Sequence, residues 1–173
     1  MSEVGLNEGV TEGLNVLSLF DGMSCGRIAL ERGGIKVQNY YASEVDKSAI
    51  KVSNANYPDI IRIGNVTKVS YKDGILSTEN GNYEVGKIDL LIGGSPCQDF
   101  SIARAMNKQE ITSLDGEKSS LFYEYLRILK EVNPTVFLLE NVKMKQESKQ
   151  KLDEYLGVSG KEINSNLVSY QHR

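Results

Sequence analysis

The sequence predicts an α/β fold, a mostly parallel sheet with helices on both faces. Three observations carry that expectation. Apolar β-rich runs and helical patterns alternate along the chain in βα units, the order that builds a parallel sheet. The strongest run, Ile88-Asp89-Leu90-Leu91-Ile92, ends at Gly93-Gly94 and fits a buried strand. Residues with chemistry also collect where strands end: Asp21-Gly22 after the first, Glu44 after the second, Asn65 after the third, Pro96-Cys97 after the fourth and Glu140-Asn141 after the fifth. Sheets of this kind bind ligands at that edge, where the strand order reverses.

Taken in order, residues 1–13 read as a flexible acidic lead-in. They carry Glu3, Glu8 and Glu12 around no apolar core, so they are not a signal peptide. The run Leu14 to Phe20 is a strand that stops at the turn pair Asp21-Gly22. Residues 24–32 place Ile28, Ala29 and Leu30 on a helical pattern, stopped by Gly33-Gly34. Val37 to Ser43 is the second strand. Asp46 is an N-cap for a helix through about Ala55 that Tyr57-Pro58 ends. Ile60 to Ile63 is a short third strand. Residues 67–76 read as a short helix, followed by a polar turn at Asn80-Gly81. After the fourth strand, 98–118 is a polar stretch without apolar period, long enough to be a functional loop. A helix from about Ser120 to Val132 should bury Leu121, Tyr125, Ile128, Leu129 and Val132. Thr135 to Leu139 is a fifth strand, 144–156 reads as helix, and Ile163 to Ser169 as a final strand.

Composition narrows the function classes. The chain has 173 residues, 40% apolar and 25% charged, which fits one domain with a sizeable core. No apolar run approaches the roughly 20 residues of a membrane span. Two Cys and no Trp exclude a disulfide scaffold and a Cys-rich zinc domain, and point to the reducing cytoplasm. The single histidine, His172, supplies neither a Cys–His pair nor a metal site, so no metal is expected. A net charge of −3 does not by itself suggest a nucleic-acid partner. The cluster Lys143, Lys145, Lys149 and Lys151 reads as a solvated helix face.

Four short segments stand out, each with a plainer reading beside the chemical one. Phe20-Asp21-Gly22-Met23-Ser24-Cys25-Gly26 is a glycine-bearing turn into a helix, where backbone N–H groups are open to a ligand. It lacks the full dinucleotide and phosphate-loop spacings and fits a tight βα turn equally. Glu44 stands about 20 residues past that turn, where a carboxylate accepts from ribose hydroxyls or simply faces a helix N-terminus. In Gly93-Gly94-Ser95-Pro96-Cys97-Gln98, Pro96 fixes its own backbone and keeps Ser95 extended. That holds Cys97 at a strand end, as a nucleophile once its thiol is deprotonated, or as a buried structural cysteine. Glu140 follows four apolar residues, so desolvation should raise its pKa and let it donate to a ring nitrogen; alternatively Glu140-Asn141 caps a helix. Fourth and fifth strands are expected as neighbours, so Cys97 and Glu140 should face one pocket. First and fourth strands should also be adjacent, which makes a Cys25–Cys97 disulfide geometrically conceivable.

In order and rough spacing, Phe20-x-Gly22, Glu44, Pro96-Cys97-Gln98, Glu140-Asn141-Val142 and Gln171-x-Arg173 resemble the DNA (cytosine-5) methyltransferases. The wording of Leu17 to Met23 and of Ala42-Ser43-Glu44-Val45 is similar to animal de novo enzymes and to bacterial or phage relatives. The resemblance runs from about residue 14 to 173. It implies a Rossmann-like, class I S-adenosylmethionine-dependent methyltransferase sheet, double-stranded DNA as partner, and a bacterial or phage-infected cytoplasm. It implies that Cys97 adds to C6 of a flipped cytosine. Glu140 would hold N3, Asn141 would position the Pro96-Cys97 loop, and C5 would take the methyl group of S-adenosyl-L-methionine. By the same resemblance Phe20 stacks near the adenine, and Asp21, Gly22, Met23, Ser24 and Cys25 line the amino-acid end of the cofactor. Glu44 would bind the ribose, and Val45, Asn65, Val66, Pro96 and Leu121 match further cofactor-binding positions. Residues 98–118 match the loop that closes over DNA, and Arg173 falls in the last matching motif.

The sequence also departs from the family pattern. Asp is usual after the third strand, accepting from the adenine amino group; Asn65 should accept through its amide oxygen and bind more weakly. The second arginine of the last motif, the target-recognition domain and the C-terminal cofactor segment are not matched. The expectation is the N-terminal part of a catalytic domain, with negligible activity as this chain alone. The alternatives are one half of a split methyltransferase that needs a complementing C-terminal polypeptide, a non-catalytic binding module, or an RNA cytosine-5 methyltransferase.

Overall fold

The computed structural model describes residues 13–94, 119–140, 150, 153–161 and 163. Pro96, Cys97, Asn141 and Arg173, the 98–118 stretch and residues 164–169 of the expected last strand lie outside the described residues.

β1 (Leu14–Leu19), β2 (Val37–Ser43), β3 (Ile61–Gly64), β7 (Leu90–Gly93) and β8 (Val136–Leu139) form one sheet in the order β3-β2-β1-β7-β8. Every neighbouring pair is parallel. The chain runs outward from β1 to β3, then returns to the other side of β1 through β7. Strand order therefore reverses between β1 and β7. This is the expected doubly wound, Rossmann-like arrangement, with β1–β7 and β7–β8 adjacent as predicted.

Side chains of the central strands alternate between two cores. Leu17, Leu19, Tyr41, Ile63 and Leu91 pack on one face with Tyr125, Ile128 and Val132 of α3 (Ser119–Val132). Val16, Tyr40 and Ala42 pack on the other with Leu30 of α1 (Cys25–Arg32) and with Ile60 and Tyr57, which follow α2 (Lys47–Asn56). Burial of both faces explains why β1 and β7 read as near-continuous apolar runs. α2 begins as its sequence dictates: Asp46 accepts from the N–H of Ser48 at 2.7 Å and of Ala49 at 3.1 Å. α1 ends at the glycine pair, where Gly34 adopts φ +68°. In α3, Phe122 and Leu126 are buried beside the expected Tyr125, Ile128 and Val132, while Leu121 and Leu129 are only partly buried.

One expected element is corrected. Residues 67–76 are not a helix. A single 3-10 turn at Val66–Lys68 leads into β4 (Ser70–Lys72), β5 (Ile75–Thr78) and β6 (Gly81–Glu84), an antiparallel sheet in the order β4-β5-β6. The cause is Asp73-Gly74, both left-handed at φ +51° and +81°. A helix would reject that pair, whereas a two-residue hairpin turn requires it. Asn80-Gly81 turns the chain as expected, between β5 and β6. Of the expected 144–156 helix, the described residues 150 and 153–156 are helical. Ile163 is not in a strand.

Candidate active site

Register fixes the geometry of the carboxyl edge. Leu19 pairs with Ser43 on one side and Gly93 on the other; Ser43 pairs with Gly64, and Gly93 with Leu139. The next residues along each strand are Phe20, Glu44, Asn65, Gly94 and Glu140. Five positions scattered over 120 residues of chain thus emerge side by side at one edge of the sheet.

The β1–α1 loop has an unusual backbone. Phe20, Gly22 and Ser24 adopt φ of +56°, +57° and +64°. For Phe and Ser this conformation costs free energy, so the surroundings must hold it. An ideal Cβ on Gly22 would have nothing within 4 Å. The space beside its Cα is open, as a ligand approaching the backbone requires. Helix α1 makes its first internal bond from the Ile28 N–H to the Ser24 carbonyl at 3.2 Å. The N–H groups of Cys25 and Gly26 precede it and have no intrahelical partner.

Glu44 closes the loop from β2. Its Oε2 accepts from the Gly22 N–H at 2.7 Å, and its Oε1 accepts from the N–H groups of Val45 and Asp46 at 2.7 and 2.8 Å. A carboxylate offers about four acceptor positions. Three are used, which leaves one on Oε2, next to the open space at Gly22. These groups fit an adenosyl ligand: an oriented carboxylate for a ribose hydroxyl, and backbone N–H groups for an anionic tail. Met23, Val45 and Cys25 are exposed beside them, and the Cys25 thiol is free.

Asp21 and Ser24 behave differently. The Asp21 side chain is wholly buried and aims inward. Its Oδ1 accepts from the Tyr40 hydroxyl at 2.8 Å, and its Oδ2 from Arg62 Nη1 at 3.2 Å and from the Ser24 hydroxyl. Ser24 Oγ lies 2.5 Å from Ser53 Oγ, which accepts from Arg62 Nη2. Burial first, and the Asp21 carboxylate second, push the Tyr40 phenol well above the usual tyrosine range.

On the β3 side, Asn65 caps the 3-10 turn. Its Oδ1 accepts from both the N–H and the hydroxyl of Thr67, each at 3.0 Å. Both bonds fall on the amide oxygen that the resemblance assigns to an adenine amino group. Glu79, from the β5–β6 turn, accepts from the Asn65 N–H and from Lys68 Nζ, both at 2.8 Å. These two bonds hold the Glu79 carboxyl below the usual carboxylate range. Val66 is buried in the core. It presents only its carbonyl, which accepts from Arg127 Nη2 at 3.3 Å.

On the β7–β8 side, Glu140 donates its N–H to the Gly93 carbonyl at 2.8 Å. A Cβ built on Gly94 would lie 2.6 Å from Glu140 Oε2, so that carboxyl rests against Gly94, three residues before Cys97. Glu140 is exposed, against the expectation of partial desolvation, because β8 is the outermost strand among the described residues. Phe20 and Leu121 pack on the α3-side core. Tyr40, Ser53, Arg62 and Glu79 were missed by sequence reasoning. The available signals were a charge inside the apolar run Ile60-Ile61-Arg62-Ile63 and a serine on the inner side of α2.

Among the described residues, no group of three or more His, Cys, Asp or Glu could hold a metal ion. Nor is any helix there long and apolar enough to cross a membrane.

The chain is similar to several known methyltransferases. The orphan methyltransferase M.Rho11sI of Bacillus phage rho11s is 36% identical over 132 residues, covering 75% of this chain and 23% of its own. The type II methyltransferase M1.ScrFI of Lactococcus lactis subsp. cremoris is 37% identical over 128 residues, covering 74% of this chain and 28% of its own. The DNA (cytosine-5)-methyltransferase DRM2 of Oryza sativa subsp. japonica is 33% identical over 129 residues, covering 72% and 20%. The chain spans about a quarter of the length of these relatives. Residues 14–165, from the first strand past the last described helix, match the profile of one family throughout. On that match the chain belongs to the C-5 cytosine-specific DNA methylase family.

Proposed function

We propose that the chain carries the cofactor loop and the nucleophile of a DNA cytosine-5 methyltransferase. The observation that supports this best is the row Gly64, Ser43, Leu19, Gly93 and Leu139. It aligns the Gly22 loop, Glu44 and the strand that leads to Cys97 along the edge where strand order reverses. Glu44 and the loop N–H groups would hold S-adenosylmethionine, which would supply the methyl group for C5.

The chain's own residues do the rest. The Cys97 thiolate adds to C6 of a cytosine taken out of duplex DNA, and the electron pair of the C5–C6 double bond moves to C5. Glu140 holds N3 by a hydrogen bond, which eases that addition. Once C5 bears the methyl group, its proton leaves to a base, the Cys97–C6 bond breaks, and the double bond and free thiolate return. Pro96 and Asn141 keep the cysteine loop in place.

Two measurements test the reading. Titration calorimetry with S-adenosylhomocysteine should show binding that Glu44→Ala weakens at least tenfold. The second supplies S-adenosylmethionine and, in trans, the C-terminal part of a relative. Duplex DNA carrying 5-fluorocytosine cannot lose fluorine as the ring loses its proton, so after methylation it should remain bonded to the Cys97 peptide in mass spectra, whereas the chain alone should form little adduct. Cys97→Ala should abolish that adduct. Ligand binding with no adduct would make the chain a binding module, and an adduct with tRNA instead of duplex DNA would reassign the substrate.

A further inference from the structure

We infer that Tyr40, Ser53 and Arg62 are positioning residues for the cofactor loop, acting through the inward-facing side chains of Asp21 and Ser24. The inference rests on the cofactor reading above and assigns the loop's shape to residues that the ligand never touches.

Apart from Arg62 Nε, which donates to Asn54 Oδ1 at 3.1 Å, the donors of the cluster lead to one carboxylate. Arg62 Nη2 donates to Ser53 Oγ, the Ser53 hydroxyl to Ser24 Oγ, and the Ser24 hydroxyl to Asp21 Oδ2. Arg62 Nη1 and the Tyr40 hydroxyl donate to Asp21 directly. The donors come from β2, α2 and β3, and β2 also accepts the Asp21 N–H at the Ser43 carbonyl, 3.0 Å. The loop in turn contributes Asp21 and Ser24, the residues on either side of Gly22-Met23. A buried carboxylate with fewer donors is costly, so the network fixes where Asp21 sits.

That fixed point explains the loop backbone. Ser24 is fully buried with φ +64°, a conformation its own residue type disfavours, and its side chain makes no helix cap. Its hydroxyl is spent on Asp21 and Ser53 instead. Phe20 and Ser24 are thus both held left-handed, one on each side of the open backbone at Gly22. With Asp21 and Ser24 clamped from below, the Gly22 N–H meets Glu44 and the first N–H groups of α1 face the edge. Asp21 and Ser24 therefore serve the ligand through the backbone they hold, whereas the resemblance had them lining the cofactor.

The test uses Tyr40→Phe and Ser53→Ala, each of which removes one hydroxyl from the cluster. Asn39→Ala is the control. It removes the bond from Asn39 Nδ2 to Asn15 Oδ1, 2.9 Å, at the opposite end of the same strand pair. S-adenosylhomocysteine affinity is measured by calorimetry, and amide hydrogen exchange is followed in the ligand-free protein. Tyr40→Phe and Ser53→Ala should each raise Kd roughly 5- to 10-fold, the effect of one hydrogen bond to a charged network. They should also speed exchange at residues 20–25 while leaving residues 90–93 unchanged. The double variant should lose less than the product of the singles, because both act through Asp21. Asn39→Ala should change neither reading. Wild-type protein that does not bind the probe overturns the cofactor reading and this inference with it. Wild-type binding with Tyr40→Phe and Ser53→Ala unaltered overturns the inference alone. Faster exchange at 90–93, or an equal affinity loss in Asn39→Ala, marks general destabilisation and also overturns it.

Discussion

Two adjacent glycines at the end of β7 do different work. A Cβ on Gly93 would lie 2.6 Å and 2.7 Å from ring atoms of Tyr125, which is fully buried against the strand. A Cβ on Gly94 would meet Glu140 Oε2 at 2.6 Å, the flexible end of a side chain, and Glu140 Cβ at 3.2 Å, which must give by only a few tenths of an ångström. Gly93→Ala should therefore cost about 1–3 kcal/mol of stability, visible as a lower urea midpoint. Gly94→Ala should lower the midpoint less than Gly93→Ala and displace the Glu140 carboxyl, lowering 5-fluorocytosine capture about tenfold or more. Equal effects of the two on stability would refute that division. At Asn65 the prediction is a gain. An aspartate there keeps one oxygen on Thr67 and presents the other outward, so Asn65→Asp should tighten S-adenosylhomocysteine about 3- to 10-fold. Unchanged affinity would place the adenine elsewhere. Glu44 was legible at this scale because a strand end needs only the right spacing from the glycine turn. The inward aim of Asp21 was not legible, because spacing gives a residue's position and not the direction of its side chain.

The antiparallel sheet of β4, β5 and β6 shows what an element contributes beyond its own strands. Its far turn clasps the end of β3: Glu79 takes the Asn65 N–H, and Asn80 Nδ2 donates to the Arg62 carbonyl at 3.0 Å. From the other side, α3 holds the same segment. Arg127 Nη2 donates to the carbonyls of Val66 and Val69, and Glu131 accepts from the Tyr71 N–H at 2.9 Å. Glu124 and Glu131 flank the guanidinium and keep Arg127 charged. Arg127→Met should leave two carbonyls without this donor, costing about 1–3 kcal/mol and speeding amide exchange at residues 64–69 before the rest of the sheet. Uniformly faster exchange would show that Arg127 braces the whole fold instead. The parallel strands and α2 were legible because apolar runs and an N-cap are local signals. The small sheet was not legible as a helix-or-strand pattern because its strands are only three or four residues long, and the deciding signal is the turn pair Asp73-Gly74.

For the whole molecule, pH should act first at the β3 edge. The folded Glu79 carboxyl titrates below its ordinary value of 4.5, so its contribution is complete above that value and fades as pH falls through the folded one. Acid should therefore loosen residues 64–68 before the central strands, which hydrogen exchange stepped down from pH 5 would reveal. Simultaneous loss of both would contradict it. The overall winding was legible because alternating βα units leave few topologies. The cluster under the loop was not, since it joins Asp21, Ser24, Tyr40, Ser53 and Arg62 only after three elements have packed. The strand order has a consequence for biosynthesis. β1 lies at the centre of the sheet, yet its partner β7 follows it by a long stretch of chain, with Val16 paired to Leu90. A nascent chain can join β1, β2 and β3 early, but one side of β1 stays open until residue 93 has left the ribosome. Through that interval a strand that ends up buried at the centre of the sheet presents bare backbone, the interval when a chaperone, or a slower stretch of codons before β7, would matter most.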